Sequence, residues 1–320
     1  MNLLRSLGLR VAGLVASLLA ASVLIFLATN ALPGDIAQVI LGTNAAPGDV
    51  DALRERLGLN RPLAVRYLEW ISGVVRGDLG TSMISGRDVM GLIAPRLEVS
   101  VSLTVSGMLL AIALAVPMGT IAALRRRHAS GLAVSALSQV GLAVPAFWAG
   151  IWLVIIFAVQ LRWFPAGGYV SFWDDPALWA WHLVLPVTSL AIVQASLLSR
   201  YVRSAVVEVL GEDWFRTARS VGWSRTGALW RHGTRNVAMS LLTVVGLQLA
   251  TVLVGAIIIE QVFAMQGLGS RLLLAVSQRD LVVVQGVVLL LVAAVLTINF
   301  VVDMTYQVLD PRIRRAGDVA

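Results

Sequence analysis

Side chains that could carry out covalent or metal chemistry are scarce in this chain of 320 residues. All 25 basic residues are arginine and cysteine is absent. This excludes a phosphate-loop lysine, a lysine Schiff base, thiol nucleophiles and thiolate metal sites. The three histidines, His128, His182 and His232, are too scattered to form a ligand motif, and a nucleophilic Ser82 would need a nearby base. These residues disfavour an enzyme and predict no catalytic residue, metal site or cofactor on this chain.

Four uncharged amides interrupt long apolar stretches of the sequence: Gln139, Gln194, Gln248 and Asn299. A carrier driven by protons or sodium ions usually has ionisable residues inside the bilayer, where they are expensive and therefore functional. Amides fit two interpretations, since they form hydrogen bonds between helices or line a transport pathway. If this protein moves a solute, we therefore expect the energy to come from elsewhere than ionisable residues within its spans.

Six apolar stretches are long enough, or nearly so, to cross a hydrocarbon core, which takes about 20 helical residues. The chain is 58% hydrophobic and 13% charged, with a mean hydropathy of +0.83, so most of it must face lipid or be buried. The stretches are 9–30, 99–124, 132–161, 179–199, 237–259 and 281–302. Pro117 and Pro145 lie inside the second and third, and Pro186 is expected in the first turn of the fourth.

The distribution of arginine predicts the orientation in the membrane. With the N-terminus and segments 125–130, 200–236 and 303–320 on one side, that side holds 15 of the 25 arginines and should be cytoplasmic. Both termini are then cytoplasmic if the first stretch is retained as an anchor, and its length favours an anchor over a cleaved signal peptide. Membrane topology thus explains the excess of basic over acidic residues, and no nucleic-acid partner is needed to account for it.

The expected fold is an all-α polytopic membrane protein. Its predicted parts are an N-terminal transmembrane helix (1–31), an extracytoplasmic cap segment (32–98), a five-helix core (99–308) and a cytoplasmic tail (309–320). Helical patterns within the cap cover 49–57 and 67–75. The aromatic and acidic loop 172–181 fits either an interfacial belt or a contact with another protein or substrate.

The segment 203–236 within the core is long for a loop and has the pattern of two short helices. Asp213 is expected to cap the first helix, Gly222 to end it in a left-handed conformation, and Ser224 to cap the second. One helix face is apolar: Trp214, Phe215, Ala218 and Val221. The residues alone leave two interpretations, docking into a groove on a partner or lying on anionic headgroups of membrane lipid.

Motifs along the chain have the order and spacing of a known transport family. The sequence WFRTARSVG at 214–222, followed by LWRH at 229–232, resembles the "EAA" loop of ABC importer permeases in its peptide-permease form. Further agreement comes from LPGD at 32–35, LGLNRP at 57–62, RGDLGTS at 76–82, PAFW at 145–148, EQVF at 260–263 and DPRIR at 310–314. Together these motifs resemble the B-type subunit of dipeptide, oligopeptide and nickel importers.

The resemblance implies a six-span subunit with the type I importer permease fold in a bacterial inner membrane. It would pair with a homologous C-type permease and receive solute from an extracytoplasmic binding protein. One or two ATPase subunits, which hold ATP and magnesium, would bind the EAA loop. The residues implied to couple to the ATPase are Asp213, Trp214, Phe215, Arg216, Thr217, Ala218, Arg219, Gly222, Arg231 and His232. The alternative is a channel or exporter subunit whose loop binds a partner other than an ATPase.

Overall fold

The structure, a computed structural model, describes residues 3–31, 36–42 and 46–309. These residues form thirteen α-helices and two π-helical segments, Val154–Gln160 and Leu229–Gly233. The helices are α1 Leu3–Asn30, α2 Ile36–Leu41, α3 Pro47–Arg56, α4 Leu63–Val75, α5 Val89–Leu124, α6 Ala129–Ala143, α7 Ala146–Leu153, α8 Pro176–Gly211, α9 Asp213–Ser220, α10 Arg225–Ala228, α11 Thr234–Val262, α12 Leu268–Ser277 and α13 Leu281–Leu309. The predicted all-α class is confirmed, while the motifs at 32–35 and 310–314 and nearly all of the tail lie outside the described residues.

Five of the described helices are long and apolar enough to cross a membrane: α1, α5, α8, α13 and the continuous helix Arg225–Val262. The predicted third span is not straight, because α6 and the helix Ala146–Gln160 meet at an angle of 98°. The break falls at Pro145, and the residue before a proline is pushed out of the helical region. Val144 accordingly has φ −90° and ψ 120°. The count of six spans holds if this bent pair crosses as one.

Helix α8 is longer than the predicted fourth span, and the expectation for Pro186 was wrong. Pro186 lies inside the helix, which begins instead at Pro176 and has 36 residues. Asp175 stabilises this start, since its Oδ1 accepts hydrogen bonds from the backbone N–H of Ala177 at 2.9 Å and of Leu178 at 3.0 Å. The end of the aromatic and acidic loop is therefore the first turn of α8.

Two compact units divide the described residues. The first contains the residues up to Glu98 together with Gln266–Phe300, and the second contains Val99–Met265 with the residues from Val301 onward. This division differs from the expected core of 99–308, because α12 and most of α13 belong to the first unit. Their buried apolar side chains form one cluster with those of residues 79–93: Leu79, Val89, Ile93, Leu268, Ala275, Val283, Val284 and Val287.

In the first unit, the cap helices pack on the N-terminal helix through aromatic side chains. Phe26 of α1 contacts Tyr67 and Trp70 of α4, with ring centroids 5.4 and 6.0 Å apart. Ser22 and Tyr67 share a hydrogen bond of 2.9 Å. A second link runs from the cap to the start of α13, where the Ser82 hydroxyl donates to the buried Asp280 carboxylate at 2.5 Å. The cap is thus part of the unit that includes α1 and α13.

In the second unit, α8 is the central helix, and small residues bring its neighbours close. A Cβ at Gly119 of α5 would lie 2.5 Å from the Ser199 carbonyl oxygen, and one at Gly141 of α6 would overlap Ser196 Oγ. The Ser199 hydroxyl also donates to Ser138 Oγ at 2.8 Å. Such close approach is typical of membrane helices, whose association depends on packing and interhelical hydrogen bonds. This packing holds α8, the helix that leads directly into α9.

Candidate functional site

The residues that the resemblance implies to couple to an ATPase lie in two short helices and the turn between them, here called the knob (residues 213–232). Asp213 does not cap its first helix, because Glu212 is the N-cap residue and its side chain makes no capping bond. Asp213 is instead the first helical residue, with a 97% exposed side chain 3.4 Å from Arg216 Nη1. The expected cap of the second helix is confirmed, since Ser224 Oγ accepts the Gly227 N–H at 3.0 Å.

The turn between the two short helices depends on Gly222. Its φ of +100° confirms the predicted left-handed stop. The Gly222 N–H donates to the Arg219 carbonyl at 3.1 Å, and the Trp223 N–H to the Ala218 carbonyl at 3.2 Å. The chain then continues as one helix from Arg225 to Val262. The second helix of the knob therefore joins α11 without an intervening loop.

The apolar face of α9 is buried within this chain, where the sequence had suggested a contact with a partner. Phe215 is only 4% exposed and belongs to a cluster with side chains from α5, α8 and the second knob helix. Trp214 and Ala218 are partly buried against the same cluster. The buried members are Ala123, Val202, Val206, Val209, Phe215, Ala228 and Leu229. The expectation that Phe215 docks on another protein was wrong, because this face fastens the knob to α8.

The opposite face, here called the outer surface of the knob, combines large apolar side chains with arginines. Val221 is 75% and Trp230 58% exposed. The Trp223 and His232 rings meet edge to face with centroids 5.5 Å apart, and Arg219 Nη1 donates to the Trp223 carbonyl at 2.7 Å. The exposed side chains of the knob include Arg216, Thr217, Arg219, Val221, Trp223, Arg225, Trp230, Arg231 and His232. Sequence reasoning placed Val221 on the inner face and missed Trp223 and Trp230.

A polar cavity of about 1020 Å³ lies between α6 and α8. Of the four amides singled out in the sequence, Gln139 lines it. Charged residues one to three turns before the end of α8 complete its polar wall. No sequence pattern indicated them, because they fall in a basic stretch between predicted spans. The lining residues are Gln139, Leu142, Ala143, Arg200, Arg203, Ser204, Val207 and Glu208.

The other three amides are not gathered at this cavity. Gln194 is on α8 but is only 8% exposed, and its Oε1 accepts no hydrogen bond from any described residue. Gln248 is half-buried on α11 in the same unit, and Asn299 is half-buried on α13 in the first unit. The structure thus brings Gln139 together with charged groups and leaves the predicted set of four dispersed.

One charged residue has a burial that the sequence did not reveal. Glu260, which directly follows the predicted fifth span 237–259, is 0% exposed and accepts a hydrogen bond of 2.5 Å from Ser100 Oγ. A buried carboxylate needs such partners to offset its desolvation. Among the described residues, no group of three metal-ligating side chains occurs.

Comparison with known families identifies the chain. Residues 115–315 match the binding-protein-dependent transport system inner membrane component family. Residues 3–104 match the N-terminal region of such membrane components. The chain belongs to this family. The suspected relationship to ABC importer permeases is confirmed, and the protein is a multi-pass component of an inner membrane that works with a binding protein.

Curated relatives match this permease along nearly its whole length. A putative peptide transport system permease protein of Brucella abortus is 40% identical over 305 residues, covering 95% of this chain and 97% of the relative. The glutathione transport system permease protein GsiC of Salmonella choleraesuis is 39% identical with the same coverage.

A solved structure supports the fold. The MetNI methionine ABC transporter in an inward-facing conformation matches with a TM-score of 0.55 and 17% identity, covering 69% of this permease and 97% of that chain. At this identity the likeness concerns the fold alone. The predicted type I importer permease fold is confirmed.

Proposed function

We propose that this permease is the B-type membrane subunit of an ATP-driven importer that carries peptides from a binding protein into the cell. The observation that carries this is the similarity over 95% of the chain to relatives named for peptide and for glutathione, itself a small peptide. The absence of lysine supports placing ATP hydrolysis on separate subunits, because a phosphate loop requires that residue. A homologous C-type permease would complete the pathway.

The outer surface of the knob is the proposed docking site for the ATPase. Its inner face is occupied by α8, so a partner can reach only the side that carries Val221, Trp223 and Trp230. Large apolar side chains at the centre of a contact supply most of its binding energy. Arg216, Arg219 and Arg231 surround them, which favours a groove on the ATPase with an acidic rim.

Two of the residues implied by the family resemblance act differently in this proposal. Phe215 and Ala218 position the knob on α8 instead of touching the ATPase. Gly222 provides the left-handed turn that presents Val221 and Trp223 at the tip. Closure of the ATPases would then move the knob and, with it, α8 and α11.

The polar cavity between α6 and α8 is the proposed part of the transport pathway on this subunit. Gln139, Arg200, Arg203 and Glu208 line it, and α8 also carries the Phe215 contact that holds the knob. Motion at the ATPase therefore reaches a helix that forms the cavity wall. A mixture of amide and charged groups suits the charged termini and the backbone amides of a short peptide.

Both termini and the knob are proposed to lie in the cytoplasm. The arginine distribution supports this orientation, as does the placement of seven arginines between residues 200 and 236. An ATPase would then have ready access to the knob.

Peptide uptake into proteoliposomes tests the proposed function. The complex contains this permease, its partner permease, the ATPases and the binding protein, with labelled dipeptides, tripeptides and longer peptides outside. We expect ATP-dependent uptake of at least one peptide class and none in vesicles that lack this chain. Uptake of a non-peptide solute alone, or peptide flux that needs no ATP, would contradict the proposal.

A further inference from the structure

A second cavity, of about 390 Å³, lies in the first unit and is rich in hydrogen-bond donors. It is enclosed by the end of α1, the turn between α3 and α4, one face of α4 and the start of α13. Three arginines and one glutamate provide its charged lining: Arg56, Arg61, Arg66 and Glu69. Phe26, Trp70 and Leu281 are among its apolar walls. Its volume is in the range of natural small-ligand sites.

The charges of this cavity do not balance. Arg61 is neutralised by Glu69, since its Nη1 lies 2.9 Å from the Glu69 Oε1. The guanidinium groups of Arg56 and Arg66 make no ion pair or hydrogen bond with any residue that the structure describes. Burial lowers the pKa of the Arg66 guanidinium below its ordinary value, because desolvation disfavours the charged form. Arginine nevertheless stays protonated in proteins, so the partly buried Arg66 and the exposed Arg56 each keep a charge that no described residue neutralises.

A neutral donor in the same cavity also needs an acceptor. The indole Nε1 of Trp70 is buried, and no described residue accepts a hydrogen bond from it. A buried donor without an acceptor loses its hydration with no compensation, which costs about 1–3 kcal/mol. The neighbouring amide Gln285 already uses its Nε2 to donate to Thr29 Oγ1 at 2.7 Å. The unpaired donors and positive charges of this cavity therefore suit a ligand that accepts hydrogen bonds and carries negative charge.

We propose that this cavity binds a phosphate group, carried either by the headgroup of an anionic phospholipid or by free inorganic phosphate. Arg56 and Arg66 would pair with its oxygens, and Trp70 Nε1 would donate to one of them. Guanidinium groups recognise phosphate through paired N–H donors.

The position of the cavity agrees with a headgroup. It lies where the apolar helix α1 ends at Asn30 and the apolar helix α13 begins at Leu281. Ends of spanning helices mark the level of the membrane interface, where lipid phosphates are concentrated. The apolar walls would cover the glycerol and the first acyl carbons. This inference uses neither the knob nor the cavity at Gln139 and does not rest on the proposed function.

Native mass spectrometry of the purified importer complex tests the lipid source. We expect phosphatidylglycerol to bind more tightly than phosphatidylcholine. Arg66→Gln should weaken phosphatidylglycerol binding roughly tenfold, and Trp70→Phe, which keeps the ring and removes the donor, should weaken it several-fold. Arg76→Gln is the matched control, because it removes an exposed arginine at the end of the same helix outside the cavity. Its binding should equal that of the wild type.

Equilibrium dialysis with labelled inorganic phosphate tests the second source with the same variants. Phosphate binding that falls in Arg66→Gln and Trp70→Phe but not in Arg76→Gln would assign the site to the free anion. Should Arg66→Gln not purify as a complex, Arg56→Gln and Trp70→Phe carry the comparison. Equal binding of both ligands by wild type and all cavity variants would overturn the proposal.

Discussion

The two faces of the knob should respond to substitution in opposite ways. Phe215 is 4% exposed inside its own chain, whereas Val221 is 75% exposed. Truncating a buried phenylalanine to alanine removes about 3–5 kcal/mol of packing. In Phe215→Ala that loss falls on the cluster that fastens α9 to α8, so the knob should detach locally. Val221→Asp alters a surface position, so the free energy of unfolding of the free permease should change by no more than about 0.5 kcal/mol.

Affinity for the ATPase is the second property in which Val221→Asp should differ from the wild type. The carboxylate of Val221→Asp would be desolvated in the contact and would face the acidic rim proposed for the ATPase groove, at a cost of about 1–3 kcal/mol or more. This corresponds to a loss of roughly tenfold or more in affinity. The matched control is Val75→Asp, the same change at a valine that is 81% exposed at the end of α4, which should bind the ATPase normally.

Hydrogen exchange on the purified permease and co-purification of the ATPase measure both effects. We expect faster exchange across 213–228 in Phe215→Ala and wild-type exchange in Val221→Asp. Only Val221→Asp should combine a protected knob with loss of the ATPase. Wild-type protection in Phe215→Ala would refute the packing argument, and full retention of the ATPase by Val221→Asp would refute the docking surface.

Three further predictions concern the turn, the orientation and the energy source. Gly222→Val should strain the knob by about 1–2 kcal/mol or more, because φ is +100°. Gly222→Asn should be milder, because asparagine tolerates left-handed backbone better and no atom lies within 4 Å of the added Cβ. Thermal unfolding and ATPase binding compare the two variants. Labelling of single cysteines in intact cells should leave Ser130→Cys closed to an impermeant reagent and modify Ser171→Cys; the reverse pattern would invert the topology. The permease purified alone in lipid should hydrolyse no ATP above background, and a rate that survives removal of contaminating ATPases would contradict this.

Local signals in the sequence predicted the turn between the two knob helices and the cap of the second, although not the cap of the first. Gly222 and Ser224 fulfil their predicted roles because a left-handed stop and a side-chain cap depend on neighbouring residues only. The burial of Phe215 could not be predicted in the same way. An apolar face does not say whether its partner is the same chain or another, and here the partner is α8.

Long-range pairings were the other features that the sequence did not reveal. The cavity partners of Gln139 lie on α8, about sixty positions along the chain, so no local pattern connects them. Asp280 and Ser82 meet across nearly two hundred positions. The grouping of α12 and α13 with the cap likewise results from tertiary packing. The break at Pro145, by contrast, follows from a local rule.

ATP hydrolysis by the reconstituted complex, with and without peptide-loaded binding protein, tests most directly whether energy enters this permease through the outer surface of the knob. The wild-type complex should hydrolyse ATP faster when loaded binding protein is added. The complex with Val221→Asp, supplied with excess ATPase to restore assembly, should lose that stimulation, while the Val75→Asp complex should keep it. Wild-type stimulation in the Val221→Asp complex would contradict the account.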